Sequence, residues 1–209
     1  MRLIFVLVAL AGAGGFTVRH VMGHRHGIVI LLLLVPGLVL GWFEYEDRMA
    51  NNKITHVASV LAGHPVQVEC QRLGGALIDM GSELGYVAYD QNGRPGDITV
   101  IKHDACVALH DWMGSDKQNP TELEIVSVHV LAHEAQHLAG YTSEAVAECR
   151  SVQTTEEAAL LLGATPAQAR ALAISYDRDV YPRMPDDYRT SDCHDGGSLD
   201  LHPDDPRWP

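Results

Sequence analysis

Basic side chains are scarce: 15 Lys and Arg stand against 27 Asp and Glu in 209 residues, a formal net charge of −12. That balance argues against a nucleic-acid partner gripped through its phosphates. Acids in turn are missing from residues 1–43, which contain Arg2, Arg19 and Arg25. Residues 44–209 therefore set all 27 acids against the other 12 basic side chains, a net charge of −15. Two different environments are implied. None of the four cysteines lies in a CxxC pair, which argues against a zinc knuckle or a thioredoxin-like redox motif. No internal repeat is visible. A chain that is 46% apolar, with 19 Gly and 10 Pro, is neither wholly disordered nor collagen-like. There is room for one domain with a real core.

What is present at the start is apolar length. Leu3 to Val18 and Ile28 to Phe43 are uncharged runs of 16 residues each, slightly short of the roughly 20 that cross a bilayer core as helix. A helix satisfies its own backbone polar groups in lipid. Residues 1–43 are therefore expected to anchor the chain in membrane lipid, with Arg19, Arg25 and the histidines of HVMGHRH in a cytoplasmic connecting loop. Beyond the aromatic pair Trp42 and Phe43 the chain emerges on the outer side. A rival reading makes the first run a signal peptide cleaved near Ala11 to Ala13 and the second run the anchor. Both readings place residues 44–209 outside the cell membrane.

That exported part carries Cys70, Cys106, Cys149 and Cys193, and its compartment is oxidising, so two disulfides are expected. Of three possible pairings, Cys70 with Cys106 and Cys149 with Cys193 is favoured, because each bond then ties a peripheral segment to one half of the domain. Residues 44–64 read as a juxtamembrane stalk with a helical patch around Ile54 to Leu61, and residues 65–209 as the folded domain. Period-two alternation marks strands at Pro65 to Cys70, Tyr86 to Tyr89 and Asp97 to Ile101, the last after a turn at Asn92 to Gly96. A short helix is expected at His103 to Met113 and a loop at Gly114 to Pro120. Thr121 with Glu124 forms a capping box that opens a helix stopping at Gly140. A second helix is expected from Ser143 to about Leu162, and Thr165, Pro166 and Gln168 open a third. The tail is irregular, and the fold class is α+β.

On the Thr121 helix stands His133-Glu134-Ala135-Gln136-His137. Four residues make just over one turn, so the two histidines share a face about 6 Å apart and can bind one tetrahedral Zn²⁺ through imidazole nitrogen. Glu134, beside them, can reach a water on the metal and act as general base. A shuffled chain of this composition shows HExxH in about 4% of cases, so context has to strengthen the match. It does: the motif falls in mid-helix, after a sheet and before a glycine exit. A catalytic zinc takes a third protein ligand, and Glu144 and Glu148 stand one turn apart on the next helix.

This stretch, about residues 121–153, resembles the zincin metallopeptidases, in particular the gluzincins, whose HExxH helix is followed by a helix carrying a glutamate ligand. The resemblance implies a zincin-like domain, Zn²⁺ held by His133, His137 and Glu144, and catalysis by Glu134. By position Glu148 would then be a carboxylate holding His133 or His137 in the ligating tautomer. Six residues separate His137 from Glu144, fewer than gluzincins usually have, so Glu144 and Glu148 both stay open as third ligand, with Glu144 favoured on residue pattern. The spacing is also similar to the metzincins' HExxHxxGxxH, but position 143 is Ser, and only Met184 could serve as a methionine turn. The family supports its oxyanion with Tyr or His, and Tyr141, Tyr176, Tyr181, His103, His110 and His194 are the candidates. His129, one turn before His133, reads as a neighbour; Tyr86, Tyr89 and Trp112 read as core or rim aromatics.

The expected function is a membrane-tethered zinc metallopeptidase acting on a peptide or protein substrate, which could lie as an added strand along Asp97 to Ile101. The alternative is an exported, disulfide-stapled binding or scaffold module with a structural or degenerate zinc site. A closed site with both Glu144 and Glu148 on the metal would favour it. A chance motif predicts no stoichiometric zinc.

Overall fold

The computed structural model describes residues 27–71, 83–205 and 207–209. The run Leu3 to Val18 and the arginine-bearing loop after it lie outside them. The chain divides into two compact units, residues 1–50 and 51–209. In order, the described residues form α1 (Gly27–Ala62), β1 (Gln67–Cys70), β2 (Gly85–Tyr89), β3 (Pro95–Ile101), α2 (His103–Gly114), α3 (Glu122–Leu138), α4 (Glu144–Leu161) and α5 (Pro166–Asp179). The architecture is mixed α+β, with a small three-stranded sheet and five helices.

In the first unit α1 runs through Pro36, and Val35, Leu38, Val39, Trp42, Tyr45 and Met49 are exposed along it. Among the described residues no helix is long and apolar enough to cross a membrane. The anchor at Ile28 to Phe43 therefore stays a reading of the sequence.

The second unit begins inside the segment expected as a stalk. Residues 51–62 of α1 place Ile54, Val57, Ala58 and Ala62 in the hydrophobic core. Their spacing of three, one and four is that of a buried helix face, so this half of 44–64 is a core element. The sheet has the order β1-β3-β2, with β1 parallel and β2 antiparallel to β3. Asp90 closes the β2–β3 turn by accepting from the backbone N–H groups of Asn92 and Arg94, and Gly93 takes φ +72°, a conformation that costs glycine little. Both edges of β3 are paired, so the strand expected to receive a peptide has none free.

Alternation along β3 buries Thr99 and Ile101 toward α3, the central helix. Thr121 and Glu124 form the expected capping box. From Ser127 to Leu138 nearly every residue of α3 is buried, because the sheet, α2, α4 and α5 pack around it. Gly140, at φ +99°, reverses the chain after α3, and α4 returns alongside. A second capping box, Thr165 with Gln168, opens α5 behind Pro166. Two short 3-10 turns follow, Tyr181–Arg183 and Asp186–Tyr188. Cys70 is bonded to Cys106, with Cα atoms 5.8 Å apart, and Cys149 to Cys193 at 5.5 Å. This is the favoured pairing: one bond ties the end of β1 to α2, the other ties α4 to the tail.

Candidate metal centre

His133 and His137 leave α3 on the same face, and their Nε2 atoms approach to 2.9 Å. Across the Gly140 turn, the first turn of α4 brings Glu144 Oε2 to 3.1 Å from the first of these nitrogens and 3.2 Å from the second. These three residues form a group that could hold a metal ion. The outer edges of both rings are fixed. His133 Nδ1–H donates to Glu148 Oε2 at 2.9 Å, and His137 Nδ1–H donates to the Tyr141 carbonyl at 2.7 Å. Both Nε2 atoms then face the Glu144 carboxylate.

The two glutamates thus divide their work by one helical turn. Glu144 stands on the Nε2 side, half-buried. Glu148 is 1% exposed and sits behind His133, with Oε1 accepting from the Tyr176 hydroxyl at 2.6 Å and Oε2 facing both His133 and His129. His129, Glu148 and His133 make a second cluster with metal-ligand chemistry.

Glu134 stands against the sheet, close enough to His133 and His137 to feel their charge. Its Oε2 lies 3.2 Å from the Thr99 hydroxyl, and Gly85 opens β2 directly against it. A Cβ at Gly85 would stand 2.7 Å from Glu134 Oε1 and 2.9 Å from its Cγ. Glycine is needed here for close approach. We expect Gly85→Ala to push the carboxylate aside and lower any Glu134-dependent turnover about tenfold or more, in line with the sensitivity of catalysis to misplacements near 1 Å. Circular dichroism should show the fold kept, and unchanged turnover would detach Glu134 from the reaction.

The electrostatics follow from burial and proximity. Hydrogen bonding to His133 and His137 pulls Glu144 down to about 2. Burial alone would lower His133, but the Glu144 and Glu148 carboxylates outweigh it and hold the imidazole up to about 9. Burial pushes Glu148 up, and the charges of His129 and His133 more than reverse this. For Glu134 burial wins over the neighbouring histidines, and its pKa is raised.

Two tyrosines flank the centre. The Tyr89 hydroxyl lies 3.1 Å from His137 Nδ1, so the residue expected as a core or rim aromatic borders the site. Tyr188 stacks on His133, ring centroids 5.7 Å apart, and burial, Glu144 and Asp187 push its phenol up to about 12. Of the six residues considered for the oxyanion, Tyr176 lies behind Glu148 and Tyr141 contributes its carbonyl while its ring packs under Arg150. The Tyr181 hydroxyl meets Thr190, His110 stands by the Cys70–Cys106 bond, His103 begins α2, and His194 folds onto Asp195. Sequence missed Thr99, Gly85 and Tyr188, none of which has a motif position relative to HExxH; only the strand signal at Asp97 to Ile101 hinted at Thr99.

Compared with known proteins, the chain matches no family, no curated protein and no solved structure.

Proposed function

We propose that this chain is a zinc metallopeptidase of zincin type, tethered to a membrane through residues 1–43 and displaying its catalytic domain outside the cell. The observation that carries the reading is the convergence of His133 Nε2, His137 Nε2 and Glu144 Oε2 to within 3.2 Å of one another. Three lone-pair donors crowded together this way suit a shared cation. Ligand atoms 2.1 Å from a tetrahedral zinc are about 3.4 Å apart, close to the edges of this triangle. Two imidazoles and one carboxylate are also a donor set for catalytic rather than closed structural zinc. Glu148 cannot complete a fourth corner, because its oxygens already serve Tyr176, His129 and His133 on the far side of the ring. That placement supports the catalytic reading over a scaffold module.

Zinc held there supplies Lewis-acid polarisation of a carbonyl and activation of water. The remaining work belongs to the chain. Glu134, anchored by Thr99, takes a proton from the attacking water and returns it to the leaving amine. Its burial-raised pKa suits that double duty. Tyr89 accepts part of the His137 Nδ1–H bond and keeps its own proton, so it and Tyr188 are the phenols available to the developing oxyanion. The substrate backbone is received by the outer edge of β2, for which pairing with β3 alone is present among the described residues. Gly85 and Tyr89 at its two ends stand against Glu134 and His137. The two disulfides suit an oxidising compartment.

The test is elemental analysis of the full chain purified without chelator, paired with hydrolysis of a mixed peptide library. We expect one zinc per chain, loss of hydrolysis on chelation and recovery on adding zinc. Metal-free protein that takes up no zinc, or hydrolysis indifferent to chelator, overturns the proposal.

A further inference from the structure

We infer that His129, one helical turn ahead of the HExxH pair, is a positioning residue for the metal centre that acts through Glu148. The inference rests on the metal-binding part of the proposed function and is independent of peptide hydrolysis. His129 is 2% exposed, and every polar atom around it is engaged. Its Nδ1 lies 2.9 Å from Thr155 Oγ1, and its Nε2 lies 3.0 Å from Glu148 Oε2 and 3.2 Å from Ser151 Oγ. The Tyr176 ring lies flat on the imidazole, centroids 3.4 Å apart and planes within 10°.

Following the hydrogens fixes the roles. A carboxylate oxygen only accepts, so the hydrogen of the 3.0 Å contact with Glu148 Oε2 lies on His129 Nε2, while the Thr155 hydroxyl, 2.6 Å from the Ser151 carbonyl and 2.9 Å from His129 Nδ1, faces the other edge of the ring. Glu148 Oε2 already accepts from His133 Nδ1. One hydrogen, on Nε2, therefore lies between His129 and Glu148, and the neutral ring turns its Nδ1 lone pair to the Thr155 hydroxyl. Without that hydrogen, two lone pairs would face each other at 3.0 Å in the dry interior, an arrangement that buried polar networks do not tolerate.

The result is a chain of contacts from α4 back to α3: Thr155 aims His129, His129 aims Glu148, and Glu148 aims His133. A carboxylate held at one oxygen by Tyr176 and at the other by His133 alone can pivot about its Cγ–Cδ bond. The third contact, from His129, removes that freedom and fixes the direction in which His133 presents Nε2. Helix geometry explains why this residue type stands four positions ahead of His133: residues one turn apart share a face, so one carboxylate on α4 can meet both rings.

The test uses the full chain and Co²⁺ alone as probe, titrated against a competing chelator. Wild type should bind one equivalent with a visible ligand-field band. His129→Leu should bind 10–100-fold more weakly, as loss of outer contacts to metal-bound histidines does elsewhere, and should shift that band. His129→Gln, which returns an N–H at the Nε2 position, should recover most of the affinity and the wild-type band. Thr155→Val, nearly isosteric, should fall between. Wild-type affinity and band in folded His129→Leu overturn the inference, as does a Gln variant no better than Leu. A second Co²⁺ equivalent lost in His129→Leu also overturns it, by making His129 a ligand in its own right. If His129→Leu does not fold, Thr155→Val decides: weakened binding supports the role, and unchanged binding overturns it. Wild-type protein that binds neither Co²⁺ nor Zn²⁺ is a different failure, that of the metal centre itself.

Discussion

Glu134→Gln should leave the zinc content of the protein unchanged while lowering peptide hydrolysis by on the order of 10²–10⁴-fold, the contribution of a positioned general base. The substitution keeps the shape of the side chain, and the amide oxygen can still accept from Thr99, which now reaches the carboxylate at 3.2 Å. What it removes is the ability to carry a proton from water to the leaving amine. Stability should not fall. Glu134 is 4% exposed and its pKa is raised by burial, which means the interior opposes its charge, so a neutral amide relieves a cost. A variant as stable as wild type, or more so, yet inert would be the pattern of a residue selected for chemistry rather than folding. The measurements are kcat on the best peptide of the library, zinc per chain, and Tm. Hydrolysis within a few fold of wild type overturns the mechanism.

The second large effect separates the two glutamates. Glu144→Ala removes an atom that lies 3.1 and 3.2 Å from the paired Nε2 atoms, and zinc affinity should fall by about 10²–10³-fold. That corresponds to one ligand's share, about 3–4 kcal/mol, of the roughly 10–16 kcal/mol with which proteins hold zinc. Glu148→Gln should cost only about 10–100-fold, because it acts on the metal through the His133 ring. Its larger effect should be on Tm. The buried Tyr176 hydroxyl and the rings of His129 and His133 all donate to this carboxylate, and an amide, with two donors of its own, cannot accept from all three. Zinc affinity by chelator competition and Tm by calorimetry give four numbers. If Glu148→Gln loses more zinc affinity than Glu144→Ala, the roles assigned to the two residues are exchanged.

How much of this was legible in the sequence can be followed residue by residue. Thr121 and Glu124, and Thr165 with Gln168, announced their helices because a capping box closes within four residues. The strands at 67–70, 85–89 and 95–101 showed through alternation. His133 and His137 face the same way on any α-helix, so their pairing needed no fold. The stalk reading failed for residues 51–62 because an amphipathic helix looks the same whether its apolar stripe meets a core or nothing. Period two likewise marked a strand at 97–101 and is silent on which of its edges is paired; both are.

The sequence by itself determined what is repeated over a turn or a pleat: the helices opened by capping boxes, three strands, a histidine pair with a glutamate beside it, and four cysteines in residues 44–209. Only the tertiary structure decided what depends on distance across the chain. It put Glu144 on the Nε2 side and Glu148 behind His133, set Tyr89 beside His137 and Tyr188 on His133, and cleared space at Gly85 for Glu134. The physical reason is that covalent geometry fixes neighbours within one helical turn, whereas the contacts of residues 85 and 99 with 134, and of 188 with 133, exist only after the core has closed around α3.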